Sequence, residues 1–193
     1  MKQGYLLAAG FSYQFGMPLV KDLTEVFYSI FDKEFITRLA DGLAQTLPYG
    51  PDYPLNRDAL LRALEIITTA KENKEDNYEQ IINRIKQLSK STHDPLLSHS
   101  YSYIFSVCYD IIHNILVYYQ KVTFDFYQIK KEPYKQFKNL ISQDSETWVF
   151  TLNHDLFMEF IAKDFGIPIT FGDKFEINFR KDNKKNFNTI IPF

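Results

Sequence analysis

Residues 5–18 carry the sequence YLLAAGFSYQFGMP, in which a short apolar run is followed by two glycines and a proline. The run from Tyr5 to Ala9 is typical of a strand that is buried on both faces of a sheet. Gly10–Ser12 and Gly16–Pro18 predict a loop, and apolar residues at helical spacing return from Leu19 to Phe31. This order of strand, glycine loop and helix predicts the first unit of a parallel α/β sheet.

A second unit of the same kind lies near the other end of the chain. Thr147–Thr151 is a β-rich run, and a helical pattern begins at Leu156 and ends at Gly166. Ile167–Thr170 and Phe187–Phe193 predict further strands. Because a doubly wound sheet normally has five or six strands, the sequence predicts an incomplete sheet, in a chain truncated at its C-terminus.

The segment between the two units is predicted to be helical. Apolar residues recur at helical spacing in three segments; they are Leu60, Leu61, Leu64 and Ile67, then Tyr78, Ile81, Ile82, Ile85 and Leu88, then Ile104, Cys108, Ile111, Ile112, Ile115 and Tyr119. The predicted fold is therefore α/β: one domain over residues 1–193, a Rossmann-like parallel sheet with a large helical insertion over residues 32–140.

Composition excludes several classes of protein. The net charge of −2 gives no electrostatic reason to expect nucleic-acid binding, and no apolar run reaches the roughly 20 residues of a membrane span. Cys108 is the single cysteine, so a disulfide framework and a four-cysteine zinc site are excluded within one chain. We therefore expect a cytoplasmic protein without a metal site.

Two groups of residues have the chemistry of a ligand site. A glycine after a strand lets the backbone approach a phosphate, and the start of the following helix favours an anion; the alternative is a tight turn without a ligand. Asn153, His154 and Asp155 follow the later strand, at the edge where parallel sheets bind ligands. There the alternative is that Asn153 or Asp155 only caps the next helix.

The two groups together resemble a known family. Residues 8–23, AAGFSYQFGMPLVKDL, resemble the Gly-Ala-Gly-x-Ser…Gly-x-Pro cofactor loop of sirtuins and sirtuin-like proteins. Residues 151–160, TLNHDLFMEF, resemble their Thr-x-Asn-x-Asp strand end, in a variant where an apolar pair and a glutamate follow. The segment Asn77–Ile82 is also similar to the acidic and aromatic helix start that is common in the prokaryotic sirtuin-like branch. Members of this branch act in antiphage defence.

The resemblance implies that NAD binds as a substrate. Its pyrophosphate would lie over Gly10 and Ser12, with Ala9 and Phe11 beside it, and Pro18 and Thr151 would complete the cofactor-binding set. Asn153 would hold the nicotinamide ribose or a reacting water, and Asp155 would contact the carboxamide. The implied catalytic residues are thus Asn153 and Asp155, and the implied reaction is cleavage of the nicotinamide–ribose bond.

The sequence departs from the family pattern at three places. Alanine replaces the first glycine of the loop, the zinc cysteines of the deacylases are absent, and no histidine follows His154 to supply the family's catalytic His-Gly pair. An NAD hydrolase is the first hypothesis, a catalytically inactive nucleotide-binding or assembly module is the alternative, and a protein deacylase is the third. The sequence leaves open whether the protein forms a homo-oligomer and whether it has a further C-terminal domain or a partner subunit.

Overall fold

The computed structural model describes residues 2–45, 55–140, 146–151 and 153–169. Within these residues the chain forms helices and two strands. In chain order the elements are β1 (Lys2–Leu7), α1 (Ala9–Tyr13), α2 (Val20–Ile30), α3 (Lys33–Gln45), α4 (Arg57–Glu72), α5 (Tyr78–Ser91), α6 (Pro95–Val122), α7 (Phe124–Lys130), a 3₁₀ helix (Glu132–Gln136), α8 (Phe137–Leu140), β2 (Glu146–Thr151) and α9 (Phe157–Phe165).

The chain divides into two compact units. The sheet unit comprises Met1–Phe15 and Thr123–Phe193, and the helical unit comprises Gly16–Val122. The predicted insertion, residues 32–140, overlaps the helical unit but has different boundaries, because α2 belongs to the helices and the segment after Val122 belongs to the sheet. None of the helices described is long and apolar enough to cross a membrane.

The helical unit has the apolar faces that periodicity predicts. Leu60, Leu64 and Ile67 of α4 are fully buried, and the predicted faces of α5 and α6 lie in the same core. Asn56 and Asn77 begin α4 and α5, where their side-chain oxygens accept hydrogen bonds from first-turn backbone N–H groups. The three predicted helices are therefore confirmed.

Cys108 lies within this helical core. It is fully buried, and burial raises the pKa of its thiol to about 12. A thiol with so high a pKa is protonated near neutral pH and packs as a small apolar side chain.

The described sheet consists of β1 and β2, which pair in parallel. Lys2 lies opposite Glu146, and the pairing continues to Leu7 opposite Thr151. This confirms the predicted parallel relation between the two strand units. Within the predicted strand 167–170, Ile169 forms only an isolated bridge and residue 170 lies outside the described residues, as does the whole of the predicted strand 187–193.

Two details of the first unit differ from the prediction. Tyr5 and Leu6 are 39% and 64% exposed, so β1 is not buried on both faces; such burial requires helices covering both sides of a sheet. The segment from Ala9 to Tyr13, predicted as the last residue of the strand and the beginning of a loop, is the short helix α1. Phe11 in α1 and Phe15, two residues after the helix, are in contact, with ring centroids 5.7 Å apart.

An aromatic cluster joins the helices of the sheet unit. Phe15 is fully buried. The centroid of its ring lies 4.9 Å from the ring centroid of Phe157, 5.1 Å from that of Tyr134 and 5.6 Å from that of Tyr127. These contacts connect the end of α1 with α7, the 3₁₀ helix and α9. The other members of the cluster are Phe11, Phe124, Phe137 and Phe160.

A polar group at the edge of this cluster ties α7 to α9. The Tyr127 hydroxyl and the Lys131 ammonium donate hydrogen bonds to Asp164 Oδ2, at 2.9 and 2.7 Å. Burial alone would raise the pKa of Asp164, but these two donors outweigh it and hold that pKa below its ordinary value. Burial of the Tyr127 hydroxyl, together with the carboxylate of Asp164 beside it, raises the pKa of Tyr127.

Candidate functional site

The candidate site lies where β1 and β2 end. Because the strands are parallel and Leu7 pairs with Thr151, the segments that follow β1 and β2 leave the sheet at the same edge. The segment from Ala8 begins α1, and the segment from Asn153 leads into α9. The two motifs singled out in the sequence therefore emerge side by side at the carboxyl edge, where open parallel sheets bind ligands.

A hydrogen bond joins the two motifs. Asn153 Nδ2 donates to Ser12 Oγ at 2.8 Å, across 141 positions of sequence. The backbone N–H of Asn153 donates to Thr151 Oγ1 at 3.1 Å, which fixes the chain just after β2. The amide group is thus held at both its backbone and its side chain, and its carbonyl oxygen Oδ1 makes no hydrogen bond within the described residues.

The residues of the first motif take different positions. Ser12 is 1% exposed and Phe11, in the aromatic cluster, is 9% exposed. Ala9 is half-buried, whereas Gly10 is exposed, and a Cβ added at Gly10 would meet no atom within 4 Å. Ser12 thus orients Asn153 and Phe11 packs within the unit, whereas Gly10 is exposed.

Asp155 serves the start of α9. It is 8% exposed, and its Oδ1 accepts a hydrogen bond from the backbone N–H of Phe157 at 3.0 Å. This contact is the capping role that the sequence analysis gives as the alternative to ligand binding. One oxygen of the predicted catalytic carboxylate is therefore already engaged in holding the helix.

The hydrogen bond between Asn153 and Ser12 involves neither Pro18 nor His154. Pro18 is half-buried ahead of α2 and belongs to the helical unit. His154 is exposed, between the half-buried Asn153 and the buried Asp155.

Glu159 is a residue of this region to which the sequence analysis assigned no role. It lies in the first turn of α9, and its Oε2 is buried without a hydrogen-bond partner among the residues described. Burial raises the pKa of its carboxyl, and the charge of Asp155 raises it further. The sequence signal was a second acidic residue four positions after Asp155, in the helix that Asp155 precedes.

The described residues of both units contain no group of three or more His, Cys, Asp or Glu side chains that could hold a metal ion. The described groups in this region are the amide of Asn153, the backbone of the first turn of α1 and the carboxyl groups of Asp155 and Glu159.

Comparison with known proteins leaves the family open. No protein family, no curated protein and no solved structure matches the chain. The resemblance of residues 8–23 and 151–160 to sirtuin-like proteins therefore stays a prediction, and the function has to be argued from the site itself.

Proposed function

We propose that the sheet unit binds NAD at the edge where β1 and β2 end and hydrolyses its nicotinamide–ribose bond. The observation that carries this proposal is the hydrogen bond from Asn153 to Ser12, because it brings together the two motifs on which the resemblance to sirtuin-like NAD enzymes rests. A Rossmann-like sheet and a role in bacterial antiphage defence belong to the same proposal.

The reaction requires mainly that the protein position the reactants and place a polar group beside the ribose. The bond between C1′ and the pyridinium nitrogen breaks, its electron pair neutralises the ring, and a cationic ribose develops that water then attacks at C1′. The water proton passes to solvent. Such a reaction is accelerated by holding the reactants in place and by a polar group that faces the developing cation.

Asn153 is suited to this role. Its NH₂ group is bound to Ser12, so the amide plane is fixed and Oδ1 remains as an acceptor for a ribose hydroxyl or the attacking water. The helix α1 begins at Ala9, so the backbone N–H groups of Ala9 and Gly10 have no acceptor within it and suit the pyrophosphate. The N–H of Phe11 already donates to the Ala8 carbonyl oxygen at 2.8 Å. Since Ser12 is almost fully buried, we assign it to positioning Asn153 instead of to contact with the phosphates.

The test is nicotinamide release from NAD by the full chain, with calorimetric NAD binding measured in parallel. Turnover supports the hydrolase. Binding without turnover supports the alternative, an inactive nucleotide-binding module, which is favoured by the engagement of Asp155 as a helix cap. If the folded chain neither binds nor cleaves NAD, the proposal is wrong.

Gly10→Ala tests where the pyrophosphate lies. Since an added Cβ meets no protein atom and α1 is helical at this position, we expect stability to stay constant or rise by about 0.5–1 kcal/mol. NAD binding should weaken, because the methyl group occupies the space through which the backbone meets the phosphates.

Gly42→Ala is the matched control for this substitution. It adds the same methyl group to an exposed position of α3, also with no atom within 4 Å, and should leave binding unchanged. Melting temperature and calorimetric affinity are measured for both variants. Equal affinity of Gly10→Ala and the wild-type chain would remove Gly10 from the site.

A further inference from the structure

One oxygen of the Glu159 carboxyl group is buried at a cost in free energy that no contact among the described residues explains. Its Oε2 is shielded from solvent and accepts no hydrogen bond among the described residues. A buried acceptor that has lost water without gaining a donor destabilises the fold, and a charged one does so more strongly. The arrangement makes physical sense if a donor reaches this oxygen in a functional state.

The two acidic side chains at the start of α9 differ in what they already do. Asp155 Oδ1 accepts the backbone N–H of Phe157, whereas Oε2 of Glu159 has no donor in the part of the chain that the structure describes. The two carboxyl groups are close enough for the charge of Asp155 to influence Glu159. Of these two groups, Glu159 is the one whose unmet hydrogen bond a ligand would satisfy.

The side chain of Glu159 is partly exposed, although its Oε2 is shielded. A ligand can therefore approach the carboxyl group along the exposed part of the side chain. Rotation about the terminal bond of a glutamate is soft and exchanges its two oxygens easily.

We propose that Glu159 is a ligand-binding residue that accepts a hydrogen bond from a neutral N–H or O–H donor on the nicotinamide–ribose half of NAD. This inference rests on the proposed function. The donor is either a ribose hydroxyl or the amide of the carboxamide. Under this proposal the carboxylate that contacts the ligand is that of Glu159. The resemblance assigns that contact to Asp155, four positions earlier.

The experiment compares the affinities of two ligands by calorimetry on the full chain. Carba-NAD, whose ribose ring oxygen is replaced by carbon, keeps both donors and is not cleaved; ADP-ribose lacks the carboxamide. The variants are Glu159→Met, which replaces the carboxylate by an apolar chain of similar length, and Glu159→Ala, which suits a helix if the first does not fold. Glu132→Ala, at an exposed glutamate of the same unit, is the control.

We expect either Glu159 variant to weaken carba-NAD binding about tenfold, the loss typical of a hydrogen bond to a charged acceptor, without lowering the melting temperature. An equal loss for ADP-ribose identifies a ribose hydroxyl as the donor, and a loss confined to carba-NAD identifies the carboxamide. Unchanged affinity for both ligands, in a protein that binds them, overturns the inference and leaves the proposed function intact. A wild-type chain that binds neither ligand overturns both.

Discussion

Asn153→Ala is expected to lower nicotinamide release from NAD at least about 100-fold, the loss usual when one preorganised polar group is removed from a reacting centre. The substitution removes the acceptor that we propose for the ribose or the attacking water, and it leaves Ser12 without the amide that it orients. Steady-state release by the wild-type and variant chains measures the effect. Asn139→Ala, at an exposed asparagine of α8, is the control and should retain full activity.

Ser12→Ala should show that Ser12 acts through Asn153. Removing the hydroxyl frees the amide to rotate, so we expect a smaller loss than for Asn153→Ala, about tenfold. The double variant should be no slower than Asn153→Ala alone, since a positioning residue has nothing left to position. Losses that multiply in the double variant would contradict this and indicate that Ser12 has a separate role.

Phe15→Ala is expected to cost about 3–5 kcal/mol of the free energy of unfolding, as is usual when a fully buried phenylalanine is truncated. Phe15 is fully buried and touches rings from α1, α7, the 3₁₀ helix and α9. Because a whole domain is stable by only about 5–15 kcal/mol, this loss is large enough to unfold the sheet unit in part of the molecules.

Denaturant unfolding followed by Trp148 fluorescence measures the effect, since this single tryptophan belongs to β2. Phe126→Ala is the matched control, because Phe126 lies in the same unit and is 55% exposed; it should change stability by less than about 0.5 kcal/mol. Similar losses for Phe15→Ala and Phe126→Ala would show that the aromatic cluster does not hold the sheet unit together.

Local patterns in the sequence were sufficient for most of the secondary structure. Leu60, Leu64 and Ile67 predict the buried face of α4, and the β-rich run before Asn153 predicts β2. Gly166 predicts the end of α9 and adopts the left-handed conformation there, with φ of 66°. Each of these features depends on residues within a few positions of one another, which is why periodicity finds them.

The structure of the first motif could not be predicted in the same way. Glycines and a serine between a strand and a proline are typical of a loop, whereas Ala9–Tyr13 is helical. The helix depends on Phe11 and Phe15 packing against rings that come from distant parts of the chain. Tertiary packing overrides a local turn signal here, and it turns Phe11 from a predicted neighbour of the ligand into part of the core.

The sequence by itself determined which residue types stand at the two strand ends, and with them the hypothesis of a nucleotide site. Only the tertiary structure decided how their polar groups are used: Ser12 pairs with Asn153, Asp155 caps α9, and Glu159 keeps an oxygen that finds no donor among the residues described. The physical reason is that a side chain's hydrogen bonds depend on what surrounds it in space. For Asn153 the partner lies 141 positions away, and only the parallel register of β1 and β2 brings it within reach.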